Sequence, residues 1–227
     1  MSNFTAWRSL VDGEEIGAIP DTVENQSFAW YPFDEYGDTQ TESFEDQSPN
    51  DNDLDNGSIS GMTTLNGVQA GVFDGDGDTL SIGSFSSENH PYTLFVVGRL
   101  DATDLTQSYV PVNTKDGDTS ALFWSGSFEK WRMFSGDGFN GSNNEDIKLL
   151  TGVFDTDESV IRENATEEST GDSGSRELDK INVGHDNDRN NWDGAIGEVI
   201  IFDDRLSLDD INEIEEYLAN KWSISID

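Results

Sequence analysis

Asp193-Gly194-Ala195-Ile196-Gly197-Glu198-Val199-Ile200-Ile201-Phe202-Asp203-Asp204-Arg205-Leu206-Ser207, followed by a run that closes on Tyr217-Leu218-Ala219-Asn220-Lys221-Trp222, decides the fold. Its first half reads as a buried strand. Ser207 with Asp210 three residues on reads as a capping box, and Leu208, Ile211, Ile214 and Leu218 recur at helical spacing. A strand therefore feeds a capped terminal helix. Upstream, the chain reads almost wholly as short strands, with candidates at 28–31, 69–73, 80–82, 92–100, 109–112, 121–124, 130–134, 147–153, 159–162, 180–183 and 195–202. Gly, Asp and Asn turns separate most of them, which predicts an all-β, two-sheet antiparallel sandwich with a short C-terminal helix. A length of 227 residues fits one such domain with a real core.

Two segments fall outside that pattern. Residues 1–25 carry Phe4, Trp7, Leu10, Val11, Ile16 and Ile19 among polar residues, with Pro20-Asp21 as a break. They read either as an arm for attachment and oligomerisation or as an edge strand or lid packed on its own domain, 26–227. Residues 163–177 are rich in Glu, Ser, Thr and Gly and read as a mobile, solvated loop.

Further stretches match one another's order. Ser43-Phe44-Glu45-Asp46-Gln47-Ser48 leads into an Asn/Asp-rich loop, and Asn66-Gly67 precedes Val72-Phe73-Asp74-Gly75-Asp76-Gly77-Asp78-Thr79-Leu80. Tyr92 to Arg99 follows as a central strand, and Leu149 to Ala165 as a late hairpin in which Asn164-Ala165 stands where Asn-Gly is commoner. Together with the tail, this sequence of segments resembles the concanavalin A-like lectin/glucanase (LamG-type) jelly-roll domains, including those in surface or virion proteins of halophilic archaea and their viruses. The resemblance implies a jelly roll that binds glycans or decorates a surface more often than it catalyses. The fold alone does not choose among lectins, hydrolases and structural modules.

Charge narrows the setting. Asp and Glu number 47 against 12 Lys and Arg, a formal net charge of -35. Such a surface excludes a nucleic-acid groove or an anionic membrane. It suits a cation-rich medium, because at about 1 M salt the Debye length falls to ~3 Å and the carboxylates are screened. The chain has no cysteine, so disulfides, thiolate metal sites and thiol nucleophiles are absent together. Met1 to Arg8 lacks a basic start followed by an apolar run, so no export leader is expected there, and no stretch approaches the ~20 apolar residues of a membrane helix. Either a leader has been lost or the protein is assembled in a cytoplasm and released by lysis, as virion proteins are.

Catalytic signatures are sparse. Glycosidases of this fold class place paired carboxylates along one strand. The one Glu-x-Asp, Glu177-Leu178-Asp179, is followed by Lys180-Ile181-Asn182-Val183 and does not complete that motif. Glu198 is the single acid in an apolar run and reads as an outward-facing strand residue. The two histidines, His90 and His185, have no Gly-x-Ser-x-Gly elbow to serve. Calcium needs six to eight hard oxygens. Three loops offer them: Asp51-x-Asp53-x-Asp55, Asp74-x-Asp76-x-Asp78, and Asp186-x-Asp188 with Asp193. Asp76 and Asp78 rank first, then Asp186 and Asp188, against simple solvation of an Asp-rich surface. For a sugar, Trp192 between Asn190-Asn191 and Asp193 offers an aromatic platform with hydrogen-bonding neighbours, His185 is a further partner, and Trp124 and Trp131 are alternative platforms. Packing in the core competes with that role for every Trp. Five Asn-x-Ser/Thr sequons, at Asn3, Asn25, Asn56, Asn140 and Asn164, are compatible with an extracellular setting.

The sequence thus leads to a non-enzymatic surface protein, in its most specific form a capsid decoration, turret or fibre of a halophilic archaeal virus. The expected partners are copies of itself, other virion proteins and host-cell glycans. A glycan-binding module of a secreted halophilic protein, extracellular or on a cell surface, is the alternative. A glycoside hydrolase is third.

Overall fold

The computed structural model describes residues 10–11, 14–15, 18–36, 44–83, 85, 87–88, 90–143, 148–185 and 190–226. In chain order its strands are β1 (Leu10–Val11), β2 (Glu14–Glu15), β3 (Ala29–Pro32), β4 (Asn56–Ser58), β5 (Gly61–Leu65), β6 (Val68–Asp74), β7 (Thr79–Ser81), β8 (Tyr92–Leu100) and β9 (Tyr109–Asn113). They continue with β10 (Ala121–Ser125), β11 (Lys130–Phe134), β12 (Gly138–Asn140), β13 (Lys148–Phe154), β14 (Ser159–Glu163), β15 (Thr166–Gly171), β16 (Asn182–Val183) and β17 (Asp193–Phe202). Helix α1 is Asp21–Gln26 and α2 is Leu208–Trp222.

Two antiparallel sheets form the sandwich. One has seven strands, in the order β12-β11-β10-β9-β16-β7-β4. The other has eight, β15-β14-β13-β8-β17-β6-β5 with β3 also paired to β17. Leu122, Trp124, Trp131 and Met133 of the first sheet meet Leu94, Val96, Ile161 and Val199 of the second in the main core. The sequence expectation of an all-β jelly-roll sandwich closed by one helix is what the chain forms.

A third layer follows from the outer face of the larger sheet, which is apolar as well. Phe95, Val97, Leu149, Val153, Ile200 and Phe202 point away from the sandwich and are covered by Ile211, Ile214, Leu218 and Trp222 of α2. This is why β8 reads as a continuous hydrophobic run instead of an alternating one. The helix begins as expected: Ser207 Oγ accepts the Asp210 N–H at 3.2 Å. It ends on Ser223 at φ 50°, whose Ile224 neighbour donates to Ala219 O, and Asn66 Nδ2 of the β5–β6 turn donates to the Trp222 carbonyl at 2.9 Å. Leu208, expected on the apolar face, is 59% exposed instead, because it sits at the first helical position, where the chain has only just turned onto the sheet.

Three further expectations need correction. The segment 163–177 is not a loop throughout: Thr166–Gly171 forms β15, an edge strand paired with β14 across the Asn164-Ala165 turn. Its side chains are largely exposed, so no apolar alternation marked it, and Glu167 and Glu168 keep the sheet edge charged. The boundary at residue 25 cuts through packed structure, since Val23 of α1 is fully buried in the outer core and Ile19 packs beside it. Of the remaining arm residues, Leu10 and Val11 lie in β1, paired with β2, whereas Phe4, Trp7 and Ile16 lie outside the described residues. Glu198 does face outward from the sandwich, but α2 covers it and leaves it 1% exposed. No helix among the described residues is long and apolar enough to cross a membrane.

Candidate functional site

Backbone pairing gathers four chain segments at one end of the sandwich, where β6 and β8 finish and β17 and β9 begin. Asp193 pairs with Asp74 and Gly194 with Leu100. Asp101 N–H donates to Asp193 O at 2.8 Å, Gly75 N–H to Trp192 O at 3.0 Å and Val110 N–H to Asn190 O at 2.9 Å. Gly75, at φ +76°, lets the turn lie so close that an added Cβ would stand 2.9 Å from Asp193 Cβ. Asn191 Nδ2 reaches the Gly75 carbonyl at 3.3 Å. The result is a rim carrying Asp74, Asp101, Asp104, Tyr109, Asn191 and Asp193.

Its electrostatics are those of crowded acids. Burial raises the Asp193 carboxyl above its ordinary 3.8, and Asp101 and Asp74 raise it further by repulsion. Burial likewise raises the Tyr109 hydroxyl, helped by Asp104 and Asp193. That hydroxyl donates to the Asp104 carbonyl at 2.9 Å, which holds the half-buried ring at the rim. Asp104 itself is lowered, because the Thr106 hydroxyl and amide both donate to it. Arg99 grips Asp101 with two hydrogen bonds, 2.5 and 2.7 Å, and Asp101 raises its pKa in turn. Carboxylate acceptors, an amide and an aromatic ring converge here, the donor and acceptor set that suits a hydroxyl-rich ligand.

The residues expected to bind sugar are brought together, but mostly turned inward. Trp124, Trp131 and Trp192 are each 1% exposed. Trp124 and Trp131 meet edge-on with centroids 5.8 Å apart, and Trp131 and Trp192 lie 6.2 Å apart. They form an indole cluster buried in the core, so none offers a free face for stacking. Trp192 N–H donates to the Gly184 carbonyl at 2.7 Å and turns the side chain between the sheets, where its indole Nε1 has no hydrogen-bond partner. His185, 6% exposed, is buried rather than at the surface. Asn191 and Asp193 do reach the rim. Tyr109 was passed over because a tyrosine opening a Tyr-Val-Pro-Val strand looks like core, and nothing local marks its edge as facing the rim.

The metal candidates divide. Asp74 Oδ1 accepts the Asp76 N–H at 2.9 Å and Asp78 Oδ2 accepts the Asp74 N–H at 3.0 Å, so this turn uses its own carboxylates to close itself. Asp186 and Asp188 lie outside the described residues. In the earlier Asp-rich loop, Asp53 accepts the Asp46 N–H, and Asp46 accepts the Trp30, Ser48 and Asn52 N–H groups, which anchors β3. Among the described residues no three His, Asp or Glu side chains are grouped to hold a metal ion.

Glu198 sits elsewhere, beneath α2. It accepts from Trp30 Nε1 at 2.7 Å, Trp222 Nε1 at 2.9 Å and Tyr217 Oη at 3.2 Å, and pairs with Lys221 Nζ at 2.9 Å. Every lone pair is occupied by the protein, so substrate has no access to it.

No protein-family model and no curated protein matches the chain. Solved structures do. Trypanosoma rangeli sialidase in complex with sialic acid aligns over 99% of this chain at TM-score 0.61 and 10% identity, and the chain spans 37% of that enzyme. Domain 4 of AbnA, a GH43 extracellular arabinanase from Geobacillus stearothermophilus, in complex with arabinotriose, aligns over 84% of this chain and 98% of its own at TM-score 0.56 and 15% identity. The binding domain of Paraclostridial Mosquitocidal Protein 1 aligns over 84% of this chain and 52% of its own, at TM-score 0.57 and 10% identity. At these identities the likeness is one of fold, that of a β-sandwich jelly roll.

Proposed function

We propose that this chain is a glycan-recognition module without catalytic activity, contacting sugar through the rim formed by Tyr109, Asn191, Asp101, Asp104 and Asp193. The observation that carries the reading is the rim itself, where carboxylate and amide groups stand beside the edge of a half-buried ring. Its fold relatives support it: one aligned almost end to end is a single domain in complex with arabinotriose, and another is a toxin's binding domain. Glycoside hydrolysis asks for two carboxyl groups flanking the scissile bond, one to protonate and one to attack or activate water. Glu198, the single acid in the apolar run of β17, is held by four protein partners under a helix.

The net charge of -35 supports a setting in concentrated salt. There the module would be displayed on a surface facing solvent: a virion decoration or fibre that contacts host polysaccharide in the more specific form, a secreted or cell-surface domain in the other. The test is retention of the full chain on immobilised polysaccharides in about 1 M KCl, where screening leaves the rim free of long-range repulsion. Tyr109→Ala and Asn191→Ala should each weaken retention about tenfold, the loss of one good contact, with the unfolding midpoint little changed. Release of reducing ends by the wild type, abolished by Asp193→Asn, would contradict the reading.

A further inference from the structure

In a chain with 47 acids and 12 cations, a lysine or arginine left without a carboxylate is unexpected. Arg8 and Arg189 lie outside the described residues. Of the remaining ten, eight are ion-paired. The other two are Lys130 and Arg132, which stand two residues apart on β11 and therefore project from the same face of the sheet. They adjoin Phe128, which at 53% exposure is the one strongly exposed aromatic ring among the described residues.

The three residues form a built corner. Arg132 lies over the Phe128 ring with its Cζ 4.7 Å from the centroid. Its guanidinium is aimed by two hydrogen bonds, Nη1 to Asn140 Oδ1 and Nη2 to the Gly138 carbonyl, both 2.9 Å. That leaves further N–H donors of the fork for an outside acceptor. The hairpin tip that carries Phe128 is fixed as well: Phe128 N–H closes the turn on Ser125 O at 3.1 Å, and Gly126 packs so tightly on the next loop that an added Cβ would stand 2.1 Å from Thr106 O. That loop holds Asp104 and leads to Tyr109. The cationic corner therefore borders the acidic rim at the same end of the sandwich.

We infer that this corner is a subsite for sugar units bearing an anionic group, a carboxylate or a sulfate, with the sugar ring against Phe128 and the anion on Arg132 and Lys130. The inference rests on the reading of the chain as a glycan-recognition module, and goes beyond it by naming the ligand class. A rigid planar fork recognises an oxyanion through paired hydrogen bonds, which a lysine cannot reproduce. Asp137 acts on Arg132 electrostatically without forming an ion pair with it, so in a molecule of this charge two neighbouring cations without an ion pair match an acceptor that comes from outside.

The test is a titration of the full chain in about 1 M KCl with polygalacturonate, dextran sulfate and neutral dextran. Polygalacturonate or dextran sulfate should bind at least about tenfold more tightly than dextran, and Arg132→Gln and Phe128→Ala should each weaken that binding by about tenfold, the scale of a charge-assisted hydrogen bond. Binding of polygalacturonate alone would identify a carboxylate site, and of dextran sulfate alone a sulfate site. Arg132→Lys should recover only part of the affinity. Phe128→Ala, at an exposed position, keeps the test available if Arg132→Gln unfolds. Neutral dextran binding as well as the acidic polymers, or indifference to both substitutions, overturns the subsite while leaving the module reading intact. No binding of any glycan overturns both. Equal binding of a sugar-free polyanion such as polyacrylate, or a dimer of the unliganded protein abolished by Arg132→Gln, would also overturn it, the latter by assigning the corner to a second copy's carboxylates.

Discussion

Glu198 shows how one residue links sheet to helix. Pairing of β17 with β8 slips between Ile196 and Glu198, a bulge at Gly197 that turns Glu198 from the inner core toward α2. Gly197 is needed there, since an added Cβ would stand 2.7 Å from the Trp222 ring. Replacing Glu198 with Ala strips the Trp30, Tyr217 and Trp222 donors of their shared acceptor and leaves Lys221 with Asp34 alone. A loss of about 3–5 kcal/mol is expected from breaking such a buried pair, read by urea denaturation, with near-wild-type stability contradicting the account. Alternation gave the outward face of Glu198 but not its cover, because only the packing of α2 on that face buries it. A second position was legible. The hairpin turn at Asn164-Ala165 holds both residues at positive φ, 49° and 65°, where sequence statistics favour Asn-Gly. Ala165→Gly should therefore stabilise the protein by about 0.5–1 kcal/mol, and a destabilised variant would mean that the turn is not strained.

The elements that were read well are those whose local signals and tertiary burial agree. β8 and β11 fall at the expected residues, 92–100 and 130–134, and the Ser207 cap starts α2 where the capping box placed it. Elements fixed by pairing alone were missed: β15 is polar along its length, and β4 is a short exposed stretch, Asn56–Ser58, held by β7. The expected Trp192 platform is turned inward for a related reason. Asn190, Asn191 and Asp193 do flank a surface turn, but a large indole between polar neighbours can still point inward, and only the sheet pairing of Asp193 shows that it does. Helix α1 carries the test at this scale. Val23 is fully buried in the outer core, and the Ser27 hydroxyl donates to its carbonyl at 2.6 Å. Val23→Ala should cost about 2 kcal/mol by loss of buried apolar surface, and truncation through residue 25 should lower the unfolding midpoint more than truncation through residue 17 does. Equal midpoints for the two truncations would return α1 to a detachable arm.

For the whole molecule, the governing quantity is charge. Because repulsion among the carboxylates reaches ~30 Å at 0.01 M salt and only ~3 Å at 1 M, the thermal midpoint should fall steeply on dilution, and a flat profile would remove the argument for a saline setting. The rim gives this a pH signature. A carboxyl whose folded pKa is raised contributes stability that is complete below its unfolded value and is lost as pH rises through the folded one. For Asp193 that window opens near 3.8 and extends upward. Asp193→Asn should thus be neutral or stabilising near pH 7 in low salt and indistinguishable from wild type below about pH 4, where the native carboxyl is protonated too; a variant destabilised at neutral pH would show that the carboxylate is a structural acceptor instead. The central claim is that sugar touches one end of the sandwich. The most direct measurement is residue-resolved NMR mapping of the full chain in about 1 M KCl as a bound oligosaccharide is added. The expected result is a set of shifted amides confined to one end of the sandwich, at residues 101–109, 125–132 and 190–193. Shifts centred instead on α2 and Glu198, or spread over the sheet faces, would contradict it.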